Sequence, residues 1–396
     1  MSDLVVRSYN VGFGDAILVS IPEAAEGEPE TVRHLLIDVG NLLIGEGNED
    51  EVFAAVVADI SARTDGEVDL FVMTHEHLDH VQGLLAASRQ GVALKATHAW
   101  LTGSAHPDYY ETHPEAKKRR LAFRLALEDA ARLQQSDNDA WLTMMIRNNS
   151  TMLPASALGL STADYVDHLR GLTAAGHTHY VDRTTSLEGK HPFREARLRI
   201  LAPEEDTSSY YGRSTGATSL TATSASDIAG SAESAVPSDG LLSPPPGVDP
   251  GAFFDLLASR RQTTRTRIRE IDAANNNTSL VLELEWRGWR LLFPGDAELR
   301  SWERMNDEGL LRPVHFVKVS HHGSHNGTLE ELFDQVMPPT SHDDRARHAI
   351  VSTHDGDWDT VPDPDTLATY SARCQLHDTR TVARGAPVEV VFPDAP

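Results

Sequence analysis

Cysteine is nearly absent from this chain: Cys374 is the only one in 396 residues. One thiol forms no internal disulfide and cannot build a cysteine-rich zinc knot, so any metal chemistry must run through histidine and carboxylate. Cationic side chains are also short, with 35 Lys and Arg against 59 Asp and Glu, for a formal net charge of −24. A chain this acidic has no broad electrostatic grip on a polyanion, and a nucleic-acid substrate would need a local basic groove. Two segments are locally basic, Lys117-Lys118-Arg119-Arg120 with Arg124, and Arg260-Arg261 with Arg265, Arg267 and Arg269. Solvated helix faces are the ordinary reading of both. No apolar run approaches the roughly 18 residues that span a bilayer, which predicts no transmembrane helix and no membrane partner. The stretch Met1 to Arg7 shows no basic segment followed by an apolar run and a small-residue cleavage site, so the cytoplasm is the expected location.

What is present is ample apolar material. Hydrophobic residues make up 40% of the chain and charged ones 24%, a balance that predicts a globular protein with a large core. Strand patterns occur at Leu4 to Tyr9, Ala16 to Ile21 and His34 to Val39, punctuated by Gly12, Gly14 and Gly40. A helix predicted over Glu51 to Arg63 leads into the apolar strand Val68 to Met73, and a further helix is expected over Val81 to Ser88. From Ser104 to Lys190 the periodicity turns helical, notably over Glu115 to Leu133 and Asn138 to Asn148, and this region reads as a largely helical insertion. Residues 207–272 read as a second, low-complexity insertion; Thr207 to Gly251 is rich in Ser, Thr, Ala, Gly and Pro and is expected to be flexible. Strand signals return at Ala196 to Leu201, Ser279 to Trp286, Arg290 to Phe293, His315 to Val319 and Ala349 to Ser352. One domain over residues 1–396, interrupted twice, is the expected organisation.

The chemistry concentrates where the Val68 to Met73 strand ends, in Thr74-His75-Glu76-His77-Leu78-Asp79-His80. Four ligand-capable side chains within six positions are hard to explain as packing. His75 and His77 alternate onto one side of an extended segment. Asp79 and His80 follow where the chain turns and are expected to face a second ion a few ångströms away. Two ions roughly 3.5–4 Å apart activate a bridging water at neutral pH and stabilise the oxyanion that forms.

This stretch resembles the H-x-H-x-D-H motif of the metallo-β-lactamase superfamily, complete at His75, His77, Asp79 and His80. Gly295-Asp296 is similar to the superfamily's bridging aspartate, and His321-His322-Gly323-Ser324 to its last histidine ligand, leaving His321 and His322 as alternatives. Other segments resemble the hydrolase domain of the DNA-uptake protein ComEC and its stand-alone relatives: Asn10 to Ala16, Leu36 to Gly40, Asn275 to Leu280, Leu292 to Glu298 and Val317 to Ser324. The resemblance implies an α/β fold, the αββα sandwich of two mixed sheets between helical layers. It also implies two divalent ions, Zn2+ or Mn2+, and metal-dependent hydrolysis. Asp79 and Lys318 are the catalytic candidates, Lys318 as a phosphate contact. Asp15, Asp38, Asn277, Ser320 and Ser324 are candidates to touch the substrate or steady the ligands.

Two departures bear on mechanism. Where many members carry H-T-x-G-H, this chain has Asn275-Asn276-Asn277-Thr278-Ser279, so a histidine is missing from the first metal position. Water or an Asn carbonyl would complete a harder site open to Mn2+ as well as Zn2+. His98, His177, His179 and His191 are further candidates to supply that nitrogen. Near the C-terminus, His354 or Asp355 stands where the family's histidine before proline is absent. The expected activity is phosphodiester or nucleic-acid cleavage. The alternatives are hydrolysis of a lactam, lactone or thioester, and a metal-binding effector subunit that meets a protein partner through its insertions.

Overall fold

A computed structural model describes residues 2–24, 29–42, 49–134, 140–152, 163–211, 264–328, 330–339, 345–355 and 361–394. Most of the Thr207 to Gly251 excursion lies outside these residues. The strands, in chain order, are β1 (Leu4–Tyr9), β2 (Ala16–Glu23), β3 (Thr31–Val39), β4 (Glu67–Met73), β5 (Lys95–Thr102), β6 (Thr178–Val181) and β7 (Arg197–Ala202). They continue with β8 (Val281–Trp286), β9 (Trp289–Phe293), β10 (Phe316–Lys318), β11 (His348–Val351), β12 (Gln375–Asp378) and β13 (Pro387–Phe392).

These form two mixed sheets, ordered β13-β1-β2-β3-β4-β5-β6 and β12-β11-β10-β9-β8-β7. Their alternation explains the layering. Along β4, Leu70 and Val72 point into a core shared with Leu282, Leu291, Phe316 and Ile350 of the second sheet. Phe71 and Met73 point the other way, onto Phe53, Val57 and Leu84 of the helices Glu49–Arg63 and Gly83–Arg89. A strand covered on both faces reads as a near-continuous apolar run. The outer face of the second sheet buries Leu292, Val317 and Val351 against Trp302, Met305, Phe333 and Tyr370 from the helices Leu299–Asp307, Phe333–Val336 and Pro364–Ser371. Helices therefore cover both outer faces of the paired sheets. Each fully buried large side chain contributes roughly 1.5–3 kcal/mol of transfer free energy. Among the described residues no helix is long and apolar enough to cross a membrane.

The insertions hold two features beyond the sequence expectation. The Ser104 to Lys190 region is not only helical: Thr178–Val181 returns to the first sheet as its edge strand, parallel to β5. Four residues reading Thr-His-Tyr-Val are too short for a period to show. Residues 264–276, inside and beyond the stretch read as low-complexity, are helical. Ile268 and Ile271 of that helix pack with Leu127, Ala130 and Ala131 of Pro114–Gln134 and with Leu142, Met145 and Ile146 of Ala140–Asn148. The two insertions thus meet in one helical cap with its own small core.

At the far edge of the second sheet, parallel strands β11 and β12 set His348 Nδ1 3.2 Å from His377 Nε2. Burial, and then His377, push the His348 imidazole down to about 4. The folded chain refuses a proton that the unfolded chain accepts near pH 6.5, so this contribution is complete above about 6.5 and is lost between about 6.5 and 4. Both rings keep part of their surface in water, so we expect at most about 2 kcal/mol from this source. Urea unfolding from pH 7 to 4 should show the loss, and His348→Phe should flatten it; an unchanged slope would exclude the pair as its source.

Candidate metal centre

The motif sits where strands β3, β4, β9 and β10 end together. Two glycines make that convergence possible. A Cβ on Gly14 would lie 2.3 Å from Gly40 O, and one on Gly40 would lie 2.4 Å from the Asp79 carbonyl carbon. With φ at +149°, Gly14 also holds a backbone conformation closed to L side chains. The Asp15 amide consequently donates to Asp79 O at 3.1 Å, and Gly40 N to Asp15 O at 2.9 Å.

The histidine rings are held from behind. Asp38, fully buried at the end of β3, accepts from Thr74 N, from Thr74 Oγ1 and from His80 Nδ1 at 2.8, 2.6 and 2.8 Å. Thr74 has given its one hydroxyl proton to Asp38, so its 3.1 Å contact with His75 Nδ1 requires that ring to donate. The His75 Nε2 lone pair therefore faces inward, and this atom has no hydrogen-bond partner. His322 Nδ1 donates to Ser352 O at 2.8 Å. In His75, His80 and His322 the protein binds Nδ1 and turns Nε2 to the cluster, an arrangement that orients metal-ligating histidines.

Those nitrogens converge with carboxylates in two overlapping sets. Asp79, His80, Asp296 and His322 each offer one atom within 4.8 Å of the others, and His75, His77 and Asp79 do the same. His80 Nε2 and His322 Nε2 each lie 3.1 Å from Asp296 Oδ2, and His322 Nε2 lies 3.3 Å from Asp79 Oδ2. His322, not His321, is the histidine that joins Asp79 and His80. It gets there through consecutive left-handed residues, His321 at φ 48° and His322 at φ 52°. Such strain persists only where the surroundings enforce it. Here Ser320 Oγ donates to Ala297 O at 2.6 Å, tying the histidine loop to the Asp296 loop.

The charges follow the geometry. Burial and the neighbouring His80 and His77 hold His75 well below the usual histidine range. Burial also opposes charge on His80 and His322. Asp296, Asp79 and Asp38 outweigh it at His80, which is held well above the usual value, and Asp296 and Asp79 push His322 up to about 9. Asp296 stays ionised against its own burial because of His322, Lys318 and His80. Protons on His80 and His322 thus balance the carboxylates, and divalent cations, if bound, would bring positive charge to the same oxygens. Oxygen and nitrogen donors, tied-back rings, and buried atoms without partners at His75 Nε2 and Asp79 Oδ1 all fit a pair of divalent ions.

Lys318 is placed differently from its expected role. It is 1% exposed, and its ammonium meets Asp15 Oδ2 at 2.6 Å, Asp296 Oδ1 at 3.0 Å and Gly295 O at 3.1 Å. With all three donors engaged it is neither a free phosphate contact nor an outward strand residue; it neutralises Asp15 and aligns Asp296. Asn277 accepts from Ser301 N and caps the helix Leu299–Asp307, and Ser324 Oγ donates to Asn326 Oδ1, so both brace loops. His98, His177 and His179 pack on one another near the β5–β6 edge, with ring centroids 5.0 and 6.1 Å from that of His98, and His191 lies against Trp100. None joins the motif, and exposed Asp355 pairs with Arg380.

Several basic residues are paired among the described residues, while Arg260 and Arg261 lie outside them. Lys117 and Lys118 pair with Glu111 and Glu115, Arg120 with Glu76, and Arg265 and Arg269 lie over Trp141. Two features escaped the sequence. One is an outer cluster of Asp272, Glu298 and His321. Burial, Asp272 and Asp296 push Glu298 up to about 8 there. The other is Asn148 to Thr151, a polar turn in the cap that carries no motif. No family model matches the chain, and no curated protein is significantly similar to it.

Proposed function

We propose that this chain is a metal-dependent hydrolase of the metallo-β-lactamase fold that uses two divalent ions, Zn2+ or Mn2+, to cleave phosphodiesters. The observation that carries the reading is the pair of buried ligand sets sharing Asp79, at the ends of strands from both sheets. Its sandwich of two mixed sheets with outer helices is the frame that the motif's resemblance implies. When bound, two such ions activate water and stabilise charge developing on the attacked centre.

The chain's own residues divide the remaining work. Asp38, Thr74 and Ser352 fix the ring orientation of His80, His75 and His322. Lys318 keeps Asp296 ionised and pointed at the centre. The ComEC-like segments favour phosphorus over carbonyl as the target. The net charge of −24 and the pairing of Lys117, Lys118 and Arg120 with carboxylates favour small or single-stranded substrates over long duplexes.

Protein loaded with Zn2+ or Mn2+ should hydrolyse a nitrophenyl phosphodiester or single-stranded nucleic acid, with turnover lost in Asp79→Ala. Ready cleavage of a lactam or lactone, with every phosphodiester untouched, would move the assignment to carbonyl chemistry.

A further inference from the structure

The helical cap does more than cover the motif. Its turn from Asn148 to Thr151 contacts the loop His75 to Asp79 at Glu76, His77 and Asp79. Thr151 Oγ1 donates to Glu76 O, and Asp79 N donates to Asn148 Oδ1 at 3.3 Å. Arg120, on the long cap helix, lies 3.4 Å from the Glu76 carboxylate. Asn149 is fully buried and faces His77 Nε2 with Oδ1 at 3.0 Å.

The orientation of that amide follows from its other partners. Asn149 Nδ2 donates to Met145 O at 3.0 Å and to Asp272 Oδ1 at 2.9 Å; turning the amide over would set oxygen against both. Oδ1 therefore faces His77 and also accepts from Asn275 Nδ2 at 2.9 Å. A carbonyl oxygen only accepts, so His77 must donate from Nε2, leaving the Nδ1 lone pair for the centre. His75 has the opposite arrangement, tied at Nδ1 and bare at Nε2. The Asp272 carboxylate, 3.7 Å from His77 Nε2, stands behind the amide.

We infer that Asp272 and Asn149 form a positioning chain from the cap that selects the nitrogen His77 presents, making affinity at the first metal position dependent on the docked cap. The affinity part rests on the two-metal reading; the choice of ring nitrogen does not. Asp272 and Asn149 come from the two separate insertions, so the first position is steadied only when both have packed together. Losing a partner that orients a metal ligand typically costs 10–100-fold in affinity.

The test uses the full-length chain, titrated with Zn2+ and with Mn2+ against a chromophoric chelator. Asn149→Ala should weaken one of two ions by about 10–100-fold and leave the other within a few-fold. Asn149→Asp sets a carboxylate against Asp272 and should be as poor. Asn149→Asp combined with Asp272→Asn restores an acceptor toward His77 and a donor behind it, and should recover part of the loss, with Met145 O still short of its donor. Wild-type affinity for both ions in a folded Asn149→Ala chain would overturn the inference. So would a folded double variant no better than Asn149→Asp alone. Nitrogen-15 NMR of wild type without added metal should find the His77 proton on Nε2; finding it on Nδ1 would overturn the inference even if no variant folds. A wild type with that Nε2 proton that takes up no metal would overturn the two-metal reading and leave the His77 assignment standing.

Discussion

Replacing Lys318 by methionine is expected to lower stability by about 3–5 kcal/mol, the usual cost of removing one partner from a buried ion pair. The ammonium is buried between Asp15 and Asp296, and those two carboxylates hold it charged against its burial. Methionine fills much of the volume but leaves Asp15 and Asp296 without their cation. The measurement is the urea midpoint at neutral pH, alongside metal content. Had the lysine served as a phosphate contact, the same variant would keep its midpoint and metals and raise only KM. An unchanged midpoint would contradict the role assigned here.

Asp296→Asn should disable the centre as a whole. One carboxylate oxygen faces both His80 Nε2 and His322 Nε2 at 3.1 Å while the other meets Lys318, so it is the atom most widely shared within the cluster. Asparagine preserves the shape but takes a counter-charge from Lys318, His80 and His322, with Asp15 left to hold the lysine, so some stability is lost with the metal and the comparison is made on folded protein. We expect more than about a 100-fold loss of metal affinity, beyond the range for partners that only orient ligands. Phosphodiester turnover should become undetectable. Elemental analysis of the purified variant, prepared beside wild type, reads the first effect directly; a full complement of metal would contradict it.

The inner parts of the centre were the legible ones. His75, His77, Asp79 and His80 lie within six residues after an apolar strand, and Asp296 follows another, so local pattern reached them. The choice between His321 and His322 was not legible, because it depends on two consecutive left-handed residues that no spacing reveals. The placement of Lys318 between Asp15 and Asp296 was not legible, because strand alternation leaves open whether an inward face meets solvent, a substrate or buried carboxylates. Asn149 and Asp272 were invisible for another reason: they lie 123 residues apart and meet only through cap packing. The fold shows the same division. β4 announces itself by its apolar run, whereas β5, with alternation broken by polar Thr97 and His98, and the four-residue β6 take their identity from neighbouring strands.

Two ions are expected to sit between these side chains. The most direct measurement is the anomalous scattering of a crystal loaded with Zn2+ or Mn2+. Two peaks about 3.5–4 Å apart are expected, one beside His75 and His77 and the other beside His80 and His322, with Asp79 and Asp296 at the cluster. A single peak, no peak, or peaks away from these residues would contradict it.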